Sequence, residues 1–235
     1  LNPGFDLTEP LSDSYMDWVV ISTETLAGTF SARRSNMYPW VVNGTLLDSL
    51  VSGNLAYAES DNRGGSQVQF MTSPDFDISG EAGKKIYVGF YSSYEQNQDS
   101  LGAVEYSVDG GTTWHGALYM LDRDDLITDG DGNVDAVATL TAERGDAAHG
   151  QPYGTYISAE ITEDLAPFIS GRINDDSYES KRVEVLRLAE ADDQAEVRLR
   201  FTQTGTASWY FGIDEVGLYA DVPVLCQIDQ DPVGQ

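Results

Sequence analysis

The sequence predicts an all-β domain, an antiparallel β-sandwich of the jelly-roll type. Three observations predict this fold. About a dozen short runs are rich in β-branched and aromatic residues, Gly and Asp/Asn turns separate them at short intervals, and no helical stripe exceeds about ten residues. The chain of 235 residues is long enough to bury the core of one large β-domain.

The candidate strands follow the chain in order, and each combines β-formers with flanking turn residues. The clearest of them are 17–23, 68–79, 85–94, 103–109, 114–121, 182–188, 196–204 and 209–220. In 196–201, Val197, Leu199 and Phe201 alternate with two arginines, which predicts one buried and one solvated face. The weaker helical candidates are 162–173 and 45–52.

Residues 122–180 differ from the rest in composition. They are rich in Asp, Gly and Ala and carry weaker strand signals, so we expect a long inserted loop region on the sandwich rather than a second domain with its own core. Residues 1–220 then form a single jelly-roll domain, and 221–235 form a C-terminal tail or linker.

The charge of the chain excludes some partners. Thirteen Lys and Arg stand against 39 Asp and Glu, a net charge of −26, which opposes binding to nucleic acid or to an anionic membrane surface. No apolar run approaches the ~18 residues that span a bilayer, so no membrane insertion is expected. Cys226 is the single cysteine, so no intrachain disulfide forms. We expect a secreted, extracellular or cell-surface protein whose signal peptide has been removed, with calcium replacing disulfides as a staple.

The sharpest local motif is DGDGNVD, which places Asp129, Asp131, Asn133 and Asp135 at every second residue. Carboxylates with this spacing in a tight glycine-containing turn can converge on Ca²⁺. Two calcium-loop registers are conceivable, and each has a misfit. One puts Val134 where glycine is required, and the other puts Ile127 where the first Asp is required. The alternative is a solvated acidic turn.

A second motif lies in residues 104–114, VEYSVDGGTTW. Its Ser-x-Asp-x-Gly-x-Thr-Trp spacing is that of the Asp-box of sialidase propellers, but it occurs once here and a propeller repeats it. We interpret it as a structural hairpin turn, in which Gly110 and Gly111 take positive φ and Asp109 accepts from its own turn amides. Trp114 is expected to pack inward.

Four segments in this order carry a family resemblance: 71–80, 104–114, 197–205 and 209–219. They resemble the MAM-like, or cleaved-adhesin-type, jelly rolls of bacterial secreted proteins. The resemblance implies a concanavalin-like sandwich that is extracellular, usually non-catalytic and often calcium-bound. It also implies a second calcium site at Asp6, Asp99 and Asp214, although Asp214 could instead be an ordinary edge or capping carboxylate.

Catalysis finds little support in the sequence. The two histidines, His115 and His149, lie in no recognisable nucleophile context, and His115 is expected at the surface or partly packed. The acidic run with Glu190, Asp192 and Glu196 falls between strands and is interpreted as a polar loop. We therefore do not expect an enzyme.

The favoured hypothesis is a non-catalytic calcium-binding module for adhesion or for building a cell-surface assembly. Its partners would be other protein subunits or surface glycans, with a homo-oligomer or filament possible and 122–180 as the interaction surface. The alternative is a carbohydrate-binding module that uses Tyr38, Trp40 and Tyr94, although Trp40 and Trp209 could equally plug the sandwich ends. A sandwich-type glycosidase is the third hypothesis.

Overall fold

The computed structural model describes residues 19–22, 41–42, 45–46, 54–59, 66–95, 100–145, 157–173, 181–206 and 210–221. Their strands form two five-stranded sheets, which confirms the β-sandwich. Sheet I has the strand order β1-β4-β12-β6-β10, and sheet II has the order β5-β11-β7-β8-β9. The two-residue strands β2 and β3 pair separately.

The strands are β1 (Val19–Ser22), β2 (Val41–Val42), β3 (Thr45–Leu46), β4 (Asn54–Glu59), β5 (Ser66–Thr72), β6 (Ile86–Glu95), β7 (Ser100–Ser107), β8 (His115–Asp122), β9 (Ile169–Arg172), β10 (Lys181–Arg187), β11 (Arg198–Thr206) and β12 (Tyr210–Ala220). Helix α1 spans Ala136–Gly145, and 3₁₀ turns span Arg123–Asp125, Glu163–Phe168 and Ala189–Ala191. Among the described residues, no helix is long and apolar enough to span a bilayer.

The main core lies between the two sheets and follows from strand alternation. On β6, Ile86, Val88 and Phe90 point inward and are 1% exposed or less. Phe90 meets Phe201 of β11 edge-to-face, with the ring centroids 5.3 Å apart. Burial of one such aromatic side chain contributes about 2–3 kcal/mol before the entropy cost. The buried face predicted for β11 is confirmed, since Leu199 and Phe201 lie in this core. The face predicted to be solvated is not, because the side chain of Arg200 is only 12% exposed.

A second hydrophobic cluster covers the outer face of sheet II. Sheet residues Phe70, Leu101, Ala103 and Tyr119 pack against residues of the inserted region, namely Ala136, Leu140, Ile157 and Leu165. Where it is described, the inserted region is therefore not a loop. It folds into a helix and packed turns that form a third layer on the sandwich.

Helix α1 is absent from the sequence prediction, and the structure shows what starts it. Asp135 precedes its first residue, and its Oδ1 accepts the N–H of Ala138 at 2.7 Å. Glu163 accepts the next free amides, those of Ala136 and Val137. These side chains satisfy amides that have no partner within the helix. Asp135, predicted from the sequence as a candidate calcium ligand, is thus a helix cap.

Strand β9 departs from the antiparallel prediction, because it pairs parallel to β8. The connection between β8 and β9 is 46 residues long, and its described residues pack on the outer face of sheet II. Parallel neighbours need a crossover connection of this kind. The helix expected over 162–173 is a 3₁₀ turn followed by this strand. Pro167 cannot donate an amide to a regular helix there.

Candidate functional site

A groove of about 780 Å³ opens beside the hairpin that joins β7 to β8. Tyr106 of β7 lines it together with three segments: 112–116 of the hairpin, 158–168 of the inserted region, and 187–190 at the end of β10. Its aromatic lining consists of Tyr106, Trp114, His115 and Phe168. Its polar lining consists of Thr112, Thr113, Ser158, Glu160, Thr162, Asp164, Arg187 and Glu190.

The hairpin is held by Asp109, as the sequence predicts. Its carboxylate accepts the amides of Thr112 and Thr113 at 3.0 and 2.9 Å and the hydroxyl of Thr113 at 2.7 Å. The Thr113 hydrogen bonds hold the pKa of Asp109 well below its usual range. Gly110 and Gly111 have φ of +69° and +93°, which confirms why glycine occupies both positions. The hairpin thus presents Thr112–Trp114 to the groove as a fixed unit.

Trp114 lies on the outer face of sheet II, so the prediction that it packs inward is wrong. It is half-buried and lines the groove. The reason lies in the register, because His115 pairs with Tyr106, whose side chain belongs to the main core, and its neighbour Trp114 must then face the other side. The guanidinium carbon of Arg200 lies 3.8 Å from the centroid of the Trp114 ring.

Tyr106 and His115, which also line the groove, form an aromatic contact. The rings of Tyr106 and His115 have centroids 5.3 Å apart and are tilted by 32°. The Tyr106 hydroxyl donates to Glu190, and burial raises the pKa of this phenol well above its usual range. The phenol therefore stays neutral, and His115 is partly packed as predicted.

Arg187, the cationic side chain among the groove-lining residues, already has a partner. Arg187 donates to both carboxylate oxygens of Asp192, and also to the carbonyl oxygens of Ile86 and Leu188. The hydrogen bond from Arg187 lowers the pKa of Asp192. Within the run interpreted as a polar loop, Asp192 is therefore an anchor, while Glu190 lines the groove.

The groove wall from the inserted region is fastened to the sheet by Glu105. This side chain is fully buried, at 0% exposure. Its Oε1 accepts the amides of Ser158 and Ala159 at 2.9 and 3.0 Å and the hydroxyl of Tyr119 at 3.0 Å. Its Oε2 accepts from the guanidinium of Arg200. One carboxylate thus contacts the inserted segment and the residue that covers Trp114.

The predicted calcium loop lies away from this groove and holds itself together. Asp129 Oδ1 accepts the amides of Asp131 and Asn133 at 2.8 and 2.9 Å, and Asn133 Nδ2 donates to Asp129 Oδ2. These bonds, those from Asn133 first, lower the pKa of Asp129. Gly132 has φ +86°, which favours the register that places Ile127 at the first ligand position.

One of the four predicted ligands in that loop has another role in the structure. Asp135 caps α1, and in the part of the chain described here no three Asp, Glu, His or Cys side chains lie close enough to hold a metal ion. Calcium binding stays a prediction.

The other predicted site residues are placed as follows. Asp6, Asp99, Tyr38, Trp40 and Cys226 lie outside the described residues. Asp214 is 6% exposed on β12, where its Oδ1 accepts the amide of Glu215 at the β-bulge. This contact agrees with the alternative of a local capping carboxylate.

Tyr94 is 1% exposed and contributes to the main core, where its ring meets Phe211 edge-to-face with centroids 5.7 Å apart. The prediction that Tyr94 forms an exposed sugar platform is therefore wrong. Tyr94 lies four residues after Phe90 on β6, so strand alternation points both side chains into the core.

Comparison with known proteins gives structural neighbours only. No family model matches the chain, and no curated protein matches it. The chain is similar to the K1 cleaved adhesin domain of Lys-gingipain from Porphyromonas gingivalis W83, at 14% identity and a TM-score of 0.38, over 87% of this chain and 90% of that chain.

Two carbohydrate-binding modules are also similar. TmCBM61, solved with β-1,4-galactotriose, shows 9% identity and a TM-score of 0.36 over 88% of this chain and 91% of that chain. CBM27-1 of Caldicellulosiruptor saccharolyticus, solved with mannohexaose, shows 10% identity and a TM-score of 0.34 over 72% and 76%. TM-scores this low carry no functional argument.

Proposed function

We propose that this chain is a non-catalytic extracellular binding module whose groove binds a glycan. The observation that carries the proposal is the combination of half-buried Trp114 with acceptor side chains on both sides of one groove. Binding of a glycan-bearing surface would also serve adhesion.

The aromatic part of the groove suits the apolar faces of a sugar ring. Trp114 offers a large, rigid surface that is held by the hairpin on one side and by Arg200 on another. A ring that is already immobilised loses little side-chain entropy on binding. Sugar C–H groups and aromatic surfaces are mutually compatible, while hydroxyls need separate partners.

The polar part supplies those partners. Glu160 and Asp164 are exposed at the groove, and among the described residues neither has a hydrogen-bond or ion-pair partner. The hydroxyls of Thr112 and Thr113 already donate to Asp109, so their oxygens are available as acceptors, and Ser158 adds a third hydroxyl to the groove lining. Sugar hydroxyls donate well to carboxylates, so the two sides of the groove can fix the orientation of a bound ring.

The size of the groove agrees with an oligosaccharide. Its volume of about 780 Å³ falls within the range of about 300–1,000 Å³ typical of small-ligand sites. The groove is thus large enough for more than one sugar unit.

The proposal is tested with a glycan array, followed by calorimetric titration of the oligosaccharides that bind. Trp114→Ala is expected to weaken binding by at least about tenfold, which corresponds to about 1.4 kcal/mol. The matched control is Tyr219→Ala, which removes a half-buried aromatic ring of sheet I that does not line the groove.

Two results would contradict the proposal: no saturable binding to any glycan, or equal loss of affinity in both variants. Incubation of the bound oligosaccharide with the protein, followed by chromatography, should recover it uncleaved. Cleavage of the oligosaccharide would contradict the proposal that this module is non-catalytic.

A further inference from the structure

We propose that the buried Glu105–Arg200 ion pair positions both walls of the groove, so that Trp114 and the Ser158–Ala159 segment are set by one pair of side chains. The inference rests on the proposed function only in treating the groove as a binding site. The positioning itself can be measured without any ligand.

Arg200 contacts the aromatic wall of the groove. Its guanidinium lies 3.8 Å from the Trp114 ring centroid and 4.8 Å from that of Phe70. A planar guanidinium stacks on ring faces, which a lysine ammonium does not do. Arg200 is half-buried on the outer face of sheet II, so this stack fixes the plane in which Trp114 borders the groove.

Glu105 holds the groove wall that the inserted region forms. Its Oε1 accepts the amides of Ser158 and Ala159, and Ser158 lines the groove. These amides belong to a segment distant in sequence, and their carboxylate acceptor comes from the middle of β7. Replacement of the carboxylate by a neutral amide weakens both bonds, because a charged acceptor makes the stronger hydrogen bond. The bond to the Ala159 amide is buried, and the bond to the Ser158 amide is part-buried.

The contact between Glu105 and Arg200 joins the two walls. Glu105 Oε2 accepts from Arg200, and the two residues are direct cross-strand neighbours on β7 and β11. Glu105 has 0% exposure and the side chain of Arg200 has 12%. A charge at this depth stays in place only while its partner does, so removal of the Glu105 carboxylate must also release Arg200 from Trp114.

A matched control lies on the same strand. Arg198 is two residues from Arg200 and faces the same side of β11, but it pairs with Asp75, at 2.8 and 2.7 Å. The Arg198–Asp75 pair contacts neither Ser158 nor Ala159 in the described contacts. Arg198→Lys therefore changes a neighbouring ion pair without changing the proposed one.

The experiment uses the full chain labelled with 5-fluorotryptophan and with ¹⁵N. The ¹⁹F resonance of Trp114 is assigned by its loss in Trp114→Phe, and hydrogen exchange is read at the amides of Ser158 and Ala159. Arg200→Lys is expected to shift the Trp114 resonance and to keep both amides protected, because the lysine can still pair with Glu105. Glu105→Gln is expected to shift the resonance and to accelerate exchange at both amides by about tenfold. Arg198→Lys is expected to change neither.

The inference is overturned if Glu105→Gln leaves the Trp114 resonance where it is in the parent, or if Arg198→Lys shifts it as far. An unshifted Trp114 resonance in Arg200→Lys overturns the inference as well, so either variant can refute it if the other does not fold, as judged by far-ultraviolet circular dichroism. The failure of all glycans to bind the parent protein would instead remove the proposed function and leave this result standing.

Discussion

The guanidinium of Arg200 connects two residues of the β7–β8 hairpin, since its carbon lies 3.8 Å from the centroid of the Trp114 ring and it donates to the buried carboxylate of Glu105. Arg200 lies on the face of β11 that the alternation pattern assigns to solvent. The inserted region covers that face, and the arginine becomes the centre of a buried polar cluster.

Removal of the Glu105 carboxylate should destabilise the fold strongly. Glu105→Ala leaves Arg200 and the amides of Ser158 and Ala159 without their acceptor, and loss of one partner of a buried ion pair costs about 3–5 kcal/mol. Urea denaturation measures this change in the free energy of unfolding. Asp75→Ala is the control, because the Arg198–Asp75 pair is about one-third exposed and should contribute no more than about 1 kcal/mol. Equal losses in the two variants would contradict the expectation.

Asp109 should make the hairpin sensitive to acid. Its folded-state pKa is depressed by the hydrogen bonds from Thr113, so its stabilisation is present above the unfolded pKa of about 4 and is lost as the pH falls toward the folded value. The melting temperature of the parent should therefore decline below about pH 4 more steeply than that of Asp109→Asn. Parallel melting curves for the two proteins across this range would show that the contribution is absent.

Asp135 should stabilise helix α1 independently of any metal. Asp135→Ala removes the side-chain cap on Ala138 and is expected to cost about 1 kcal/mol, measured by urea denaturation in the presence of a chelator. Asp131→Ala, in the same loop but exposed, is expected to change stability by less than about 0.5 kcal/mol under the same conditions. A reversed order would show that the acidic loop, not the cap, holds this region.

Calcium should raise the melting temperature of chelator-treated protein, because a ligand that binds only the folded state stabilises it. The 129–135 loop already satisfies Asp129 with amides, so the rise is expected to persist in Asp131→Ala. Differential scanning calorimetry with and without calcium measures it. No rise in the parent would contradict the calcium prediction, and a rise lost in Asp131→Ala would place the ion in this loop.

The sandwich itself could be predicted because its strands carry strong local signals. The alternation of Val197, Leu199 and Phe201 and the Asp109 turn both have short-range causes, and both are found in the structure. Helix α1 could not be predicted in the same way. Its sequence is weakly amphipathic, and its first turn depends on Glu163, which lies far along the chain.

The groove could not be predicted from the sequence for a similar reason. The orientation of Trp114 depends on which residue of β8 pairs with Tyr106, and this register has an irregularity after Val104 that no local pattern reveals. Tyr94 looked accessible beside amides and charges, yet strand alternation from Phe90 already places it in the core. That alternation was a usable signal for rejecting it. The pairing of Glu105 with Arg200 is a cross-strand contact, and only the assembled sheet brings these residues together.

The most direct test of the binding groove is a titration of ¹⁵N-labelled protein with the best-binding oligosaccharide from the array, followed by heteronuclear NMR. We predict that the Trp114 indole N–H and the amides of 112–116 and 158–165 shift together along one saturation curve, while the amides of sheet I stay in place. Saturable shifts confined to sheet I, or no saturable shift anywhere, would contradict a glycan site in this groove.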